Sequence, residues 1–240
     1  MVYDVTENDG VYTVKFTFQD HDKNEWTWNW SYPVEVTDQM ILKFGIPFSI
    51  FEPYYAVDSV IRKRDRQINE GMFYMQDNFV GPDLMAMINY YRPFLEPIAT
   101  LTDQTLGDNA TSRERIELVM KFTQDIPYCI PPNQLQDKYT GGLFPPPQVF
   151  LNMYGDCDSK VVIFTGVLSH FDDYEMLIMK ETGHVLTGVA GIPKPYDVFY
   201  EYKNKKYIMA ETAGPGRNKF GMIQDPYKKI NEVDPVVIEE

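Results

Sequence analysis

Residues 160–168 read Lys-Val-Val-Ile-Phe-Thr-Gly-Val-Leu, and the chain enters this run through Gly155-Asp156-Cys157-Asp158-Ser159. A helix that is apolar nearly all round has no solvent face and belongs in the interior of a fold. The run therefore predicts a buried helix, with Gly166 and Ser169 near its end. Its entry turn carries the polar chemistry. Asp156 is a natural N-cap. A thiol at the position of Cys157 meets free backbone N–H groups and the positive end of the helix dipole, which lower its pKa and can receive an oxyanion. Asp158 opposes this, because a carboxylate beside a thiolate raises the pKa. An arbitrary cysteine is most simply a small buried hydrophobe. The Gly-Asp turn ahead of an apolar helix makes Cys157 a candidate nucleophile.

The flanking segments alternate between strand and helix signals. Tyr12, Val14, Phe16 and Phe18 recur at period two, as do Trp26, Trp28 and Trp30 after the polar turn His21-Asp22-Lys23-Asn24. That pattern predicts a hairpin with one buried face, and the Trp stripe reads as core before it reads as a sugar-binding platform. Signals are mixed over 35–81, punctuated by Pro33, Pro47 and Pro53. A helix is expected from Pro82-Asp83, carrying Leu84, Met87, Ile88 and Tyr91 on one face, with Pro93 and Pro97 ending or kinking it. Thr111-Ser112-Arg113-Glu114 has the form of a capping box, and the helix it opens should stop before Pro127. Residues 130–147 read as a Pro- and Gly-rich loop. Strands are expected over 174–179, 184–190, 198–202 and 206–211. The expected class is α+β, divided into a β-rich region over 1–80 and a catalytic domain over 81–240.

Charge narrows the partners. The chain has 22 Lys and Arg against 35 Asp and Glu, a formal charge of −13. A field of that sign disfavours nucleic acid and anionic membrane surfaces, and Arg62-Lys63-Arg64-Asp65-Arg66 reads as a solvated face. No run suits a membrane span. Two cysteines, Cys129 and Cys157, are too few for a disulfide framework. The start, Met1-Val2-Tyr3-Asp4, lacks the regions of a signal peptide, and both cytoplasmic and exported locations stay open, as does oligomeric state. No metal-ligand spacing and no phosphate loop is present, so neither a metal nor a cofactor is expected.

A nucleophilic cysteine needs a base and a group to orient that base. His21 lies in a polar turn and is expected to be solvated. His170 follows the end of the buried helix and is expected to pair with that helix's last carbonyls. His184 opens a strand after Thr182-Gly183 and is the best base candidate of the three. Glu211 ends the run 206–211 on its Tyr207 and Met209 face, where a carboxylate requires a partner.

Gly155-Asp156-Cys157-Asp158-Ser159-Lys160, then Gly183-His184-Val185-Leu186-Thr187-Gly188-Val189, then Tyr207-Ile208-Met209-Ala210-Glu211-Thr212 together resemble the transglutaminase-like superfamily. The stretch Phe122-Thr123-Gln124-Asp125-Ile126-Pro127-Tyr128 resembles the helix end that precedes that family's cysteine loop. The resemblance covers about 110–225. It implies a papain-like core in which a helix bearing the cysteine packs on an antiparallel sheet, with Cys157 as nucleophile, His184 as base and Glu211 as orienter. Glu211 stands where the family more often has Asp, and Ser159 where a second acidic residue often follows the cysteine. Papain-like enzymes often add an upstream oxyanion donor; Gln148 is the first candidate, with Gln134 and Tyr154 as others. The expected activity is acyl transfer from an amide of a peptide or protein substrate, by hydrolysis first and by transfer to an amine second. The rival is a non-catalytic module that keeps the fold for binding. The aromatic N-terminal region is expected to flank the core and leave an open cleft at Cys157, which favours water.

Overall fold

The computed structural model describes residues 2–77, 79–171, 174–214, 216–223 and 230–239. The protein is α+β. Its first element is a three-stranded antiparallel sheet, β1 (Val2–Asn8), β2 (Val11–Gln19) and β3 (Glu25–Pro33), in chain order. Asp9 and Gly10, both at positive φ, form the two-residue turn that suits the right-handed twist of a hairpin. Alternation works as the pattern predicts. Val14, Phe16 and Phe18 face the interior with Trp28, Trp30 and Tyr32, while Thr13 and Ser31 hydrogen-bond on the outer face. The Trp stripe is core, with Trp26 half-buried at its end.

The stretch with mixed signals is largely helical. It forms α1 (Val34–Lys43), β4 (Ile46–Pro47), a 3₁₀ turn (Phe48–Phe51), α2 (Asp58–Glu70) and the hairpin β5 (Phe73–Gln76) and β6 (Phe79–Pro82). The long helix α3 (Leu84–Leu106) is capped by the Asp83 side chain, which accepts from the Ala86 N–H at 2.9 Å. It ends at neither Pro93 nor Pro97. Pro93 removes the donor to the Asn89 carbonyl and Pro97 the donor to the Pro93 carbonyl, so the two defects fall on successive turns. Two other carbonyls of this stretch accept from side chains: Arg92 from His170 at 2.8 Å and Phe94 from the Tyr32 hydroxyl at 2.7 Å. His170 thus serves a carbonyl of α3, not those of the helix it follows. His21 is half-buried, with an Nε2 that has no partner among the described residues.

The expected capping box is present at the start of α4 (Ser112–Asp125). The loop beyond contains β7 (Gln134–Leu135), β8 (Lys138–Tyr139) and α5 (Pro146–Asn152). The apolar run forms α6 (Cys157–Leu168), buried at every position but Asp158. Helices α3, α4 and α5 pack around it on one side. On the other lies an antiparallel sheet of five strands ordered β11-β12-β10-β9-β13, comprising β9 (Met176–Glu181), β10 (His184–Ala190), β11 (Phe199–Tyr202), β12 (Lys205–Ala210) and β13 (Glu232–Pro235). Val189 and Ile208 join the main core, Ile178 and Val185 a second cluster beside it, and Leu177, Met179, Leu186, Tyr207 and Met209 a third. A Cβ on Gly166 would come within 2.5 Å of Leu95, so glycine lets α3 and α6 touch closely. Among the described residues no helix is long and apolar enough to cross a membrane.

Phe122 of α4 is the hub between the N-terminal sheet and the helices. Its ring meets those of Phe16, Phe18, Trp28, Trp30 and Phe150, with centroids 5.1–6.1 Å apart. Truncating a buried aromatic removes its transfer free energy and leaves a cavity. Phe122→Ala is expected to lower the free energy of unfolding by about 3–5 kcal/mol, read from urea denaturation. An unchanged midpoint would mean that the sheet does not dock on this ring.

Candidate active site

The site forms where two strands part. Strand β12 pairs with β10 from Ala190↔Tyr207 to Thr187↔Ala210 and stops there. His184, Val185 and Leu186 therefore lack a β12 partner on that side. The start of α6 fills the gap, with the Val185 backbone N–H near enough to the Cys157 sulfur to favour its thiolate. Asp156 caps the helix by accepting from the Ser159 N–H at 3.0 Å. The Ser159 hydroxyl in turn accepts from the Phe144 N–H at 2.9 Å, tying the approach to α5 onto the helix.

Glu211 follows the last residue of β12 and is 4 % exposed. Its Oε2 lies 2.8 Å from His184 Nε2, and its Oε1 accepts from the Ala213 N–H at 2.9 Å. A carboxylate so deeply buried requires such partners. His184 is nearly as well covered, with 9 % of its side chain exposed. The base and orienter expected from sequence therefore form a hydrogen-bonded pair, and the longer arm of Glu reaches the imidazole.

Cys157 opens α6 as expected, but its chemistry is not the expected one. The residue is 6 % exposed and belongs to an apolar cluster with Phe44, Phe73, Leu143, Val185 and Ala213. Burial, and then the charges of Asp158 and Asp156, push its thiol up to about 12. Desolvation disfavours the thiolate, and two carboxylates outweigh the helix dipole. The S–H donates to Asp158 Oδ2 at 3.7 Å. Burial likewise pushes the Asp156 carboxyl up to about 7 and the Asp158 carboxyl above its ordinary value, and the charge of Asp158 adds to the push on Asp156. The imidazole of His184 acts on Asp158 in the opposite sense. Instead of the open cleft expected at Cys157, the side chain is buried among the described residues.

Asp156, Cys157 and Asp158 place one ligand atom each within 4.8 Å of one another. The Asp156 carboxylate already serves as the helix cap, and burial favours the protonated forms of all three, which weighs against a cation there. Gln148 lies in α5, buried, with an Oε1 that has no partner among the described residues. Gln134 is exposed and bonds the Gln136 carbonyl, and the Tyr154 ring packs on Phe144 at 5.2 Å. Cys129 is exposed.

Two polar residues beneath the site escaped sequence reasoning. Lys160 is fully buried, and burial pulls its ammonium down to about 7. Gln124, also buried, donates to the Glu211 carbonyl at 2.7 Å. A lone lysine heading an apolar run was the available signal, since a buried ammonium must have partners. Comparison with protein-family models, with curated proteins and with solved structures finds no match to this chain.

These electrostatics set the thiol's reactivity. Alkylation of Cys157 by iodoacetamide is expected to keep rising with pH beyond pH 10, because the thiolate is favoured only near pH 12. Asp158→Asn removes a charge that raises the thiol and is expected to speed alkylation at pH 8 about tenfold, a change of about one pKa unit. Mass-spectrometric labelling, with Cys129 as internal reference, checks both. A plateau below pH 8 in the unmodified protein would show an activated thiol instead.

Proposed function

We propose that the protein is a cysteine enzyme of the transglutaminase-like type, with a papain-like helix and sheet, that transfers an acyl group from an amide of a peptide or protein. The observation that carries this reading is the buried His184–Glu211 pair, 2.8 Å apart, at the start of β10, past the end of β12, where α6 presents Cys157.

The chemistry follows from the protonation states. A thiol pushed up to about 12 is not stored as thiolate, so deprotonation accompanies attack. His184 accepts the S–H proton as sulfur bonds the amide carbonyl carbon. With Nε2 on Glu211, Nδ1 is the nitrogen that takes this proton. Glu211 holds the ring and stabilises the imidazolium. The oxyanion is received by free N–H groups at the start of α6, with Gln148 as the proposed side-chain donor. The imidazolium then gives its proton to the nitrogen as the C–N bond breaks, which leaves a thioester on Cys157 and a free amine. Water or a second amine attacks the thioester, loses its proton to His184, and Cys157 departs to regain it. The packing that buries Cys157 has to shift for substrate to enter.

Two observations favour a second reading, a non-catalytic module that retains the fold for binding. They are the burial of Cys157 and the upward push on its thiol. The same cover removes the reason for preferring water to an amine.

The test is incubation with peptide libraries, with and without a labelled primary amine. Released hydrolysis products support the hydrolase, and faster incorporation of label supports the transferase. Glu211→Gln is expected to keep the fold and cut turnover about a hundredfold. No product of either kind from the unmodified protein, with Cys157 resistant to alkylation, would replace the enzyme reading by the binding module.

A further inference from the structure

Glu211 has to be held without a strand ladder, because β12 ends at Ala210. Two buried polar side chains grip the backbone on either side of its carboxylate. Lys160, 0 % exposed, points its ammonium at the carbonyls of Ile126 at 2.5 Å, Ala213 at 2.7 Å and Gln124 at 3.5 Å. Gln124 Nε2 donates to the carbonyls of Glu211 at 2.7 Å and Asn218 at 2.9 Å. The segment that carries Glu211 is thereby bolted to the C-terminal end of α4 at residues 211 and 213. Between those two fastenings the Glu211 carboxylate turns one oxygen to its own backbone, at Ala213, and the other to His184.

Both grips carry an electrostatic cost. An ammonium loses its hydration when buried, and burial is the first cause of the lowered affinity of Lys160 for its proton. The Gln124 Oε1 is buried and has no partner among the described residues. Apolar side chains of similar length would fill both places without either cost. What they would not supply is donors to the carbonyls of Glu211 and Ala213.

We infer that Lys160 and Gln124 are positioning residues that hold the Glu211 carboxylate against His184. The inference rests on the reading of His184 and Glu211 as base and orienter. Its direct consequence is physical: the His184–Glu211 hydrogen bond loosens when either grip is removed.

The experiment reads that bond, not turnover. Protein labelled with ¹⁵N-histidine is followed by NMR, and the imidazole Nε2–H that faces Glu211 is assigned by its disappearance in His184→Gln. Lys160→Met and Gln124→Met are each expected to move this resonance toward that of a solvated imidazole and to speed its exchange with water about tenfold or more. Thr165→Val is the control. It removes another buried hydrogen bond of α6, that between Thr165 and Thr187 at 3.0 Å, and is expected to lower the melting temperature while leaving the resonance and its exchange unchanged. Folded Lys160→Met and Gln124→Met proteins that keep the original resonance and exchange would overturn the inference. So would an equal effect in Thr165→Val, which would reduce both residues to general stabilisers. If Lys160→Met does not fold, Gln124→Met decides, and failure of both to fold would assign them to the foundation of the fold and overturn the positioning role. An unmodified protein that shows the expected NMR pattern but no turnover would count against the enzyme reading alone.

Discussion

Burying α6 on all sides is the constraint from which the rest of the structure follows. An interior helix cannot pass its polar groups to water, so each must be answered by the protein. Asp156 answers the Ser159 N–H, the Ser159 hydroxyl answers the Phe144 N–H, Thr165 answers Thr187, and Lys160 answers carbonyls of two other segments. These bonds bring the approach to α5, the end of α4 and the turn after β12 onto one helix. The candidate site is the place where those obligations meet the edge of β10 that β12 no longer covers. Burial that orders the groups also raises the thiol, so order and reactivity pull in opposite directions at Cys157. Such opposition is common where a site must open before it acts.

Much of the core was legible in the sequence because one period was written plainly in each segment. The alternation of Phe16, Phe18, Trp28 and Trp30 fixed a buried sheet face, and the 184–190 strand was read at the bounds that the structure gives. The capping box at Thr111 was legible because its reciprocal bonds are local. The stretch 35–81 was not legible. In α2 only Ile68 is buried, so the helix carries little apolar periodicity, and short elements such as β4 exist only through partners distant in sequence, here β8. The prolines of α3 do not end it, and the side chains that bond carbonyls beside them, Tyr32 on Phe94 and His170 on Arg92, lie in no local window.

The site divides along the same line. Local context and the family resemblance named Cys157, His184 and Glu211, and His184 and Glu211 do meet. The sign of the thiol's pKa shift went the other way because its first cause is burial, which is a property of packing. Gln124 and Lys160 lay within segments already singled out. Their task is set by backbone carbonyls, and those leave no mark in sequence.

The docking of β1–β3 on Phe122 has a consequence for how the chain is made. The aromatic face of that sheet emerges from the ribosome before the ring that covers it, which lies far downstream. Roughly 90 residues separate Trp30 from Phe122, and at about 5–20 residues per second translation takes on the order of 5–20 s to supply it. A hairpin of this size forms in microseconds. During that interval a nascent sheet with Phe16, Phe18, Trp28 and Trp30 on one side is exposed to the cytosol or to whatever attends the growing chain. It is the state most open to capture by chaperones and most prone to stick to its own kind, long before the thiol has been synthesised.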